Sequence, residues 1–321
     1  MSTKEKYLNP FTDFGFKKLF GSETNKDLLV DFLNAILPKE TEITHLTYLK
    51  TEHIGHSEID RKVVYDVYCE NKKGEKFIVE LQKARQKYFK ERTIFYSTFP
   101  IQEQAITGDW NFELKAVYTI SILDFLIDDN SYSSKKEKIA KNTPVKTTAK
   151  LVNIDTKEIF YDKLTYVQIH IPLFNKEEHE LETMEDKWFY IIRDLQRFQN
   201  RPVALEERIF DKVFKTAEIA KFNKKERGAY EDSLKAYRDV KNVIDTAREM
   251  GEEIGKEIGK EIGKEIGKEI GKEIGKEIGK EERSLEITKE AILQGLSFET
   301  ISKITKLSIE EIQKIANSIK K

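Results

Sequence analysis

The feature that most constrains the fold is a four-residue repeat, written Glu-Ile-Gly-Lys, that runs from Gly251 to Lys280. Glycine recurs at every fourth position through Gly279, and isoleucine recurs from Ile254 to Ile278. A four-residue step turns an α-helix through about 400°, so each isoleucine is displaced by about 40° around the axis from the one before. The isoleucines therefore form a spiral and not a straight seam.

Two interpretations of the repeat remain open. Each interior glycine costs about 1 kcal/mol of helix propensity relative to alanine. Ion pairs such as Glu253 with Lys256 stabilise the helix by only about 0.2–0.5 kcal/mol each. The repeat is therefore either a marginal helix that self-association orders, or a flexible spacer. The glycines are too regular for a phosphate-binding loop, and no strand–turn–helix context surrounds them.

The repeat separates regions of different composition. We expect an α/β domain over 1–202, a charged helical region over 203–250, the low-complexity spacer over 251–281, and a small helical module over 282–321. The last module is either similar to a helix-turn-helix or a self-association module. In the first domain, runs rich in Val, Ile, Tyr and Phe predict four strands. These runs are Ile59–Glu70, Lys76–Gln82, Leu114–Phe125 and Leu164–Leu173.

The order of elements predicts an α/β or α+β domain with one mixed sheet. Asn25–Leu37 is a predicted helix that ends before Pro38, and Arg85–Thr107 is another that Pro100 should kink or end. The polar stretch Asp128–Thr148 predicts an exposed loop.

Composition excludes several classes of protein. The net charge of −1 excludes a uniformly basic nucleic-acid coat, although not a local basic patch. A single cysteine excludes a disulfide scaffold and a cysteine-rich zinc site. The chain shows neither an apolar run long enough to span a membrane nor the apolar core of a signal peptide. We therefore expect a cytoplasmic protein with no membrane partner.

The segment from Val63 to Gln82 predicts a β-hairpin whose turn lies near Lys73. In that register Glu70 faces Lys76, Tyr68 faces Ile78, Asp66 faces Glu80 and Val64 faces Gln82. Because side chains alternate between the two faces of a sheet, the odd positions form one apolar face. That face contains Val63, Tyr65, Val67, Cys69, Phe77, Val79 and Leu81. The other face carries Asp66, Glu80 and Gln82 together.

Two carboxylates opposite one another in a sheet repel each other unless a cation lies between them. Mg²⁺ typically takes one or two carboxylates and the phosphate oxygens of a substrate. Such an ion can activate water and stabilise the leaving oxygen of a phosphodiester. The alternative is a solvated sheet face without a ligand. A slip of one residue in the register would separate the two carboxylates.

Around this hairpin the sequence resembles the Rpn family of recombination-promoting nucleases, in the PD-(D/E)XK nuclease superfamily. Asp66 with Glu80-x-Gln82 matches the core motif, in which glutamine sometimes replaces the lysine. N-P-F-T-D-F-G-F-K-K-L-F-G, from Asn9 to Gly21, is similar to the N-terminal signature of the family. Three further matches follow in order, and a Gly/Lys/Glu-rich tail is also typical of the family. The matches are Leu28–Leu37, Arg92–Tyr96 followed by Gln104 and Gly108, and Ala116–Phe125.

The resemblance implies an α/β fold: a restriction-endonuclease-like mixed sheet flanked by helices, here with a helical C-terminal extension. It also implies a Mg²⁺-dependent DNA endonuclease, with Mn²⁺ as the substitute ion, connected with recombination, mobile DNA or defence. Asp66 and Glu80 would hold the metal. Gln82 would stand where a lysine normally positions the attacking water. Asp13 is either an additional acidic catalytic residue or a helix cap.

The same resemblance and the local charge suggest which residues contact DNA. Gln104 would be a side-wall contact, and four of the basic residues that flank the site would contact DNA. These residues are Lys17, Lys83, Arg85 and Arg92. The alternative function is a catalytically weak DNA-binding or protein-interaction protein that assembles through its C-terminal tail. The C-terminal region is in either case a candidate for homo-oligomer formation.

Overall fold

A computed structural model describes residues 5–53, 63–105, 110–126 and 143–319. The chain forms two compact units, residues 1–244 and residues 245–321. Each unit has its own buried apolar cluster. None of the helices in the described ranges combines the length and the hydropathy that a membrane span needs.

Eight strands occur in the described part of the first unit. They are β1 Leu46–Tyr48, β2 Glu52–His53, β3 Val63–Val64, β4 Val67–Asn71, β5 Lys76–Gln82, β6 Val117–Leu123, β7 Lys146–Val152 and β8 Ile159–His170. Six of them form one sheet in the order β1-β4-β5-β6-β8-β7, while β2 and β3 pair separately.

The sheet is mixed. β5, β6 and β8 are parallel, and β1, β4 and β7 add antiparallel neighbours on the two sides. The connection from β5 to β6 contains the helix α3 (Phe89–Gln102), as a crossover between parallel strands requires. The central strands are the most apolar because both of their faces are covered.

Four short helices and the start of a long one pack on one face of the sheet. They are α1 Asp13–Phe20, α2 Lys26–Ile36, α4 Met184–Asp194, α5 Arg208–Ala217 and α6 Lys224–Leu293. Their aromatic side chains dominate the main core: Trp188 contacts Phe20, Phe32 and Phe210. The Trp188 indole N–H donates to the carboxylate of Asp31 at 2.8 Å, which satisfies the polar end of this fully buried ring.

The helix α3 covers the opposite face, where Tyr65, Tyr68 and Ile78 pack against it. Pro100 lies inside α3 and cannot donate to the carbonyl of Tyr96 one turn earlier. The hydroxyl of Tyr65 donates to that carbonyl at 3.0 Å. The segment between β3 and β4 thereby supplies the hydrogen bond that the proline removes, and the helix continues through Pro100.

In the second unit the repeat is helical. It lies within α6, and α7 (Phe298–Thr305) and α8 (Ile309–Ile319) follow. Ile301 and Ile312 are completely buried and form a small core with the buried Ala291. Ser297 caps α7 by accepting the N–H of Thr300. Of the two interpretations of the repeat, the structure therefore agrees with the helix and not with the flexible spacer.

The mixed sheet flanked by helices, with its helical C-terminal region, confirms the predicted restriction-endonuclease-like α/β fold. Two local predictions were wrong. The end of the predicted loop Asp128–Thr148 belongs to β7, although residues 127–142 lie outside the described ranges. The predicted strand Ile59–Glu70 is interrupted at Tyr65 and Asp66 in its described part.

Candidate active site

The hairpin of β4 and β5 brings Asp66 and Glu80 together. The observed pairs Tyr68–Ile78 and Glu70–Lys76 confirm the predicted register. Asp66 lies at a bend just before β4. Its backbone N–H donates to Oε1 of Glu80 at 3.2 Å, and its Oδ2 accepts the N–H of Leu81 at 2.7 Å. These two bonds fix the two carboxyl groups side by side.

The bend also corrects part of the hairpin prediction. The Asp66 side chain takes the Leu81 N–H, so the ladder of β4 and β5 ends there. Val64 pairs with Glu52 of β2 and does not face Gln82. Beyond the bend the alternation of faces is reversed, so Tyr65 packs with Tyr68 under α3. The predicted apolar face is correct for the five residues that join the main core, which are Val67, Cys69, Phe77, Val79 and Leu81.

The carboxyl pair is largely shielded from solvent. Glu80 is buried, with 8% of its surface exposed, and Asp66 is half-buried. Burial, followed by the charge of Asp66, raises the pKa of Glu80 to about 8. Burial is also the main cause that raises the pKa of Asp66. Among the residues that the structure describes, no lysine or arginine forms a salt bridge with either group, so the pair favours a shared proton or a bound cation.

Gln82 is the third polar residue at this end of β5. Its amide Nε2 donates to Oε2 of Glu80 at 3.3 Å. The backbone carbonyl of Gln82 accepts the N–H of Asp124, just beyond β6, at 2.9 Å. The Gln82 amide therefore contacts the carboxyl group directly but brings no positive charge to it.

The first helix contributes Asp13 and Lys17. The charge of Asp13 raises the pKa of Asp66, while the charges of Lys17 and Lys83 lower it, all of them as weaker effects than burial. Lys17 and Asp13 also form an exposed salt bridge of 2.9 Å. The helix cap is Thr12, whose hydroxyl accepts the Gly15 N–H at 3.0 Å. The interpretation of Asp13 as the cap was therefore wrong.

The charges of Lys83 and Arg92 also act on the carboxyl pair. Burial lowers the pKa of Lys83, while Asp13 and Asp66 raise it. Arg92 lies in the first turn of α3 and lowers the pKa of Glu80, as a weaker effect than burial and Asp66. Its guanidinium contacts the Tyr96 ring at 5.5 Å and bonds the side chain of Gln86. Arg85 is exposed in the connection between β5 and α3.

The structure does not bring Gln104 to the carboxyl pair. The Gln104 side chain accepts the Lys115 N–H at 2.6 Å and donates to the Pro100 carbonyl at 3.0 Å. Lys115 precedes Ser121, the β6 partner of Glu80, by six residues, which corresponds to about 20 Å along the strand. Gln104 thus connects the end of α3 to the start of β6, at the end of the strands opposite to the carboxyl pair.

Two groups of polar residues near the site were not predicted from the sequence. Ser121 and Gln168 extend the row of Glu80 across β6 and β8. Polar residues inside otherwise apolar strand runs were the available signal. Asp124 accepts the Tyr237 hydroxyl at 3.1 Å, and burial raises its pKa. No local pattern could have paired Asp124 with a residue so distant in sequence.

The chain was also compared with known proteins. It matches the family of PD-(D/E)XK nuclease family transposases over residues 10–247. Searches of curated proteins and of solved structures gave no match. The matched interval covers most of the chain and contains Asp66, Glu80 and the whole six-stranded sheet. The chain therefore belongs to the PD-(D/E)XK nuclease family transposases.

Proposed function

We propose that this protein is a DNA endonuclease that hydrolyses phosphodiester bonds with Mg²⁺, or Mn²⁺ as the substitute ion. The observation that carries the proposal is the pair of Asp66 and Glu80, fixed side by side by their bonds to the hairpin backbone. Within this family, the resemblance to Rpn proteins supports a role in recombination, mobile DNA or defence, with DNA as the partner. We also propose the cytoplasm as the location, as expected from the composition.

The residues present fit a divalent cation. Carboxylate oxygens are the donors that Mg²⁺ prefers. Asp66 and Glu80 offer two carboxyl groups at one end of the hairpin. The backbone N–H groups of Leu81 and Asp66 donate to one oxygen of each, and the Gln82 amide donates to the other oxygen of Glu80. A carboxylate oxygen that accepts one hydrogen bond keeps a lone pair for a metal ion. When bound there, the ion would supply an activated water and charge stabilisation at the phosphate.

The protein groups around the pair have separable roles. Gln82 holds Glu80 by a hydrogen bond and can orient a water through its amide, but it cannot neutralise charge. The charges of Lys17, Lys83 and Arg92 all act on the carboxyl pair. We assign these three residues to the phosphate backbone and to the charge that develops during cleavage. Asp13, in contact with Lys17, orients that lysine.

The test is plasmid nicking by the purified full chain in Mg²⁺, Mn²⁺ or EDTA. The informative variants are Asp66→Asn and Glu80→Gln, which remove charge without changing size. Glu70→Gln is the matched control, because Glu70 lies on the same hairpin but pairs with Lys76 at 2.5 Å. We expect metal-dependent cleavage that either site variant reduces by about 100-fold or more and the control leaves intact. Cleavage in EDTA, or full activity of both site variants, would contradict the proposal.

A second function is favoured by one observation, the presence of Gln82 where the family motif has lysine. Without that charge the protein could bind DNA and cleave it weakly or not at all. Gln82→Lys separates the two functions. If the folded wild-type protein fails to cleave while Gln82→Lys cleaves in Mg²⁺, the native protein is a DNA-binding or protein-interaction member that assembles through its tail.

A further inference from the structure

The repeat helix exposes an apolar surface that no part of its own chain covers within the described residues. Seven isoleucines, from Ile254 to Ile278, are each between 50% and 57% exposed. None of them belongs to the three buried clusters of the described chain. The eight glycines from Gly251 to Gly279 have open space beside them, with nothing within 4 Å of a Cβ placed there.

The geometry of the repeat arranges its four residue types in four continuous rows. Each repeat advances about 6 Å and about 40° around the helix, so the rows spiral in the right-handed sense. At any one height the rows lie about 90° apart, in the order Lys, Glu, Ile, Gly. The helix therefore carries an isoleucine ridge next to a glycine groove on one half of its circumference, and glutamate and lysine on the other half.

We propose that this surface binds the same surface of a second copy of the chain, in parallel orientation. A ridge formed by residues four apart fits a groove of the same type on a partner helix, with the axes crossing at about −50°. In the parallel pair, the isoleucine ridge of each helix enters the glycine groove of the other. A hydrophobic period longer than about 3.6 residues makes the pair coil in the right-handed sense.

Charge complementarity selects the parallel orientation. When the two copies run in the same direction, the glutamate row of one helix flanks the lysine row of the other on both sides of the contact. In the antiparallel pair isoleucine would meet isoleucine, glycine would meet glycine and glutamate would meet glutamate. Like charges in such proximity oppose association, and a glycine groove without a ridge would leave a void.

The same contact explains why a helix with so many glycines is useful. Glycine lowers helix propensity at every fourth position, so an isolated repeat is a poor helix. Small residues compensate by allowing two helix backbones to approach closely. The glycines thus allow close packing at a dimer interface, whereas in a monomer they only lower the helix propensity.

The first test measures association of the full-length chain by sedimentation equilibrium. We expect a dimer. Changing Gly259, Gly263, Gly267 and Gly271 to alanine together should weaken dimerisation by about tenfold or more, because methyl groups fill the groove. The same variant should be at least as helical by circular dichroism, since alanine is the better helix former. Loss of association thus cannot be attributed to loss of the helix.

Gly228→Ala is the matched control, since Gly228 lies in the same helix, outside the repeat, with nothing within 4 Å. It should leave dimerisation unchanged. A monomeric wild-type chain, or an alanine variant that dimerises as tightly as the wild type, would overturn the proposal.

The second test measures orientation. Glu282→Cys places a thiol just after the repeat, and the native Cys69 is buried and does not compete. In parallel copies the two introduced thiols lie at the same height, so they should form a disulfide under mild oxidation. Antiparallel copies would hold the two thiols about 50 Å apart, so an associated protein that fails to cross-link contradicts the parallel arrangement.

Discussion

Gly15 determines how closely the first helix approaches the turn before it. A Cβ at this position would lie 2.2 Å from the backbone oxygen of Asn9 and 2.7 Å from the hydroxyl of Thr12. The first obstacle is backbone, so it cannot move away as a flexible side chain would. We expect Gly15→Ala to destabilise the protein by about 1–3 kcal/mol in urea unfolding, whereas Gly228→Ala should stabilise it slightly. Equal effects of the two substitutions would mean that α1 is not held at this distance.

Glu80 makes stability depend on pH. Its pKa is raised from 4.5 to about 8 in the folded protein, because burial disfavours the charged form. The folded state thus retains a proton that the unfolded chain releases. The contribution of the protonated Glu80 to the free energy of unfolding is fully present below pH 4.5. It is lost as the pH rises through about 8. In EDTA, the difference in unfolding free energy between wild type and Glu80→Gln should therefore change steeply across this range.

We expect bound Mg²⁺ to reverse this pH dependence of stability. A cation binds the ionised carboxylate, so binding releases the proton and strengthens as the pH rises. We expect Mg²⁺ to raise the melting temperature of the wild-type protein more at about pH 9 than at about pH 6, and to have little effect on Glu80→Gln. If Mg²⁺ stabilises Glu80→Gln as much as the wild type, the ion binds elsewhere.

At the scale of elements, α3 depends on Tyr65, which lies between β3 and β4. The Tyr65 hydroxyl satisfies the Tyr96 carbonyl that Pro100 leaves without its helical donor. Tyr65→Phe should cost about 1–2 kcal/mol, because a carbonyl that is partly buried loses its partner. In a Pro100→Ala background the new N–H can donate to Tyr96, so the same substitution should cost less. Additive effects in this double-mutant cycle would show that the two residues are independent.

The hairpin shows how far local sequence reasoning reaches. The register follows from a short turn and from alternation, which are local properties, so the proximity of Asp66 and Glu80 could be predicted. The bend at Asp66 could not, because it depends on the competition between a side-chain carboxylate and a backbone partner for one N–H group. Because of this one hydrogen bond, Tyr65 lies on the face under α3 and not on the predicted apolar face.

The helices show the same limit. The approximate position of α2 follows from its apolar period and from Pro38. The sequence left Asp13 open as the cap of α1 because Thr12 and Asp13 are adjacent and both are good caps. Gln104 matched a motif in sequence, but its three-dimensional position depends on the length of α3 and on its bond to Lys115.

At the scale of the whole molecule, the contacts that complete the first unit join residues far apart in sequence. The hydroxyl of Tyr230, in α6, accepts the Asn9 N–H at 3.0 Å, and the hydroxyl of Tyr237 donates to Asp124. Such contacts have no periodic signature. The charged, helix-favouring composition predicted helices after residue 203, but it could not show that their aromatic residues join the main core.

The thermal unfolding of the two compact units should depend on different conditions: Mg²⁺ for the first and protein concentration for the second. The carboxyl pair lies in residues 1–244, so Mg²⁺ should raise the transition of that unit. The repeat lies in residues 245–321, so raising the protein concentration should raise the transition of the second unit, as expected for an element that folds with a partner copy. Calorimetry of the full chain can measure both shifts independently. The four-glycine alanine variant should remove the concentration dependence and retain the response to Mg²⁺, while Asp66→Asn should do the reverse. If either variant abolished both responses, the two units would unfold as one.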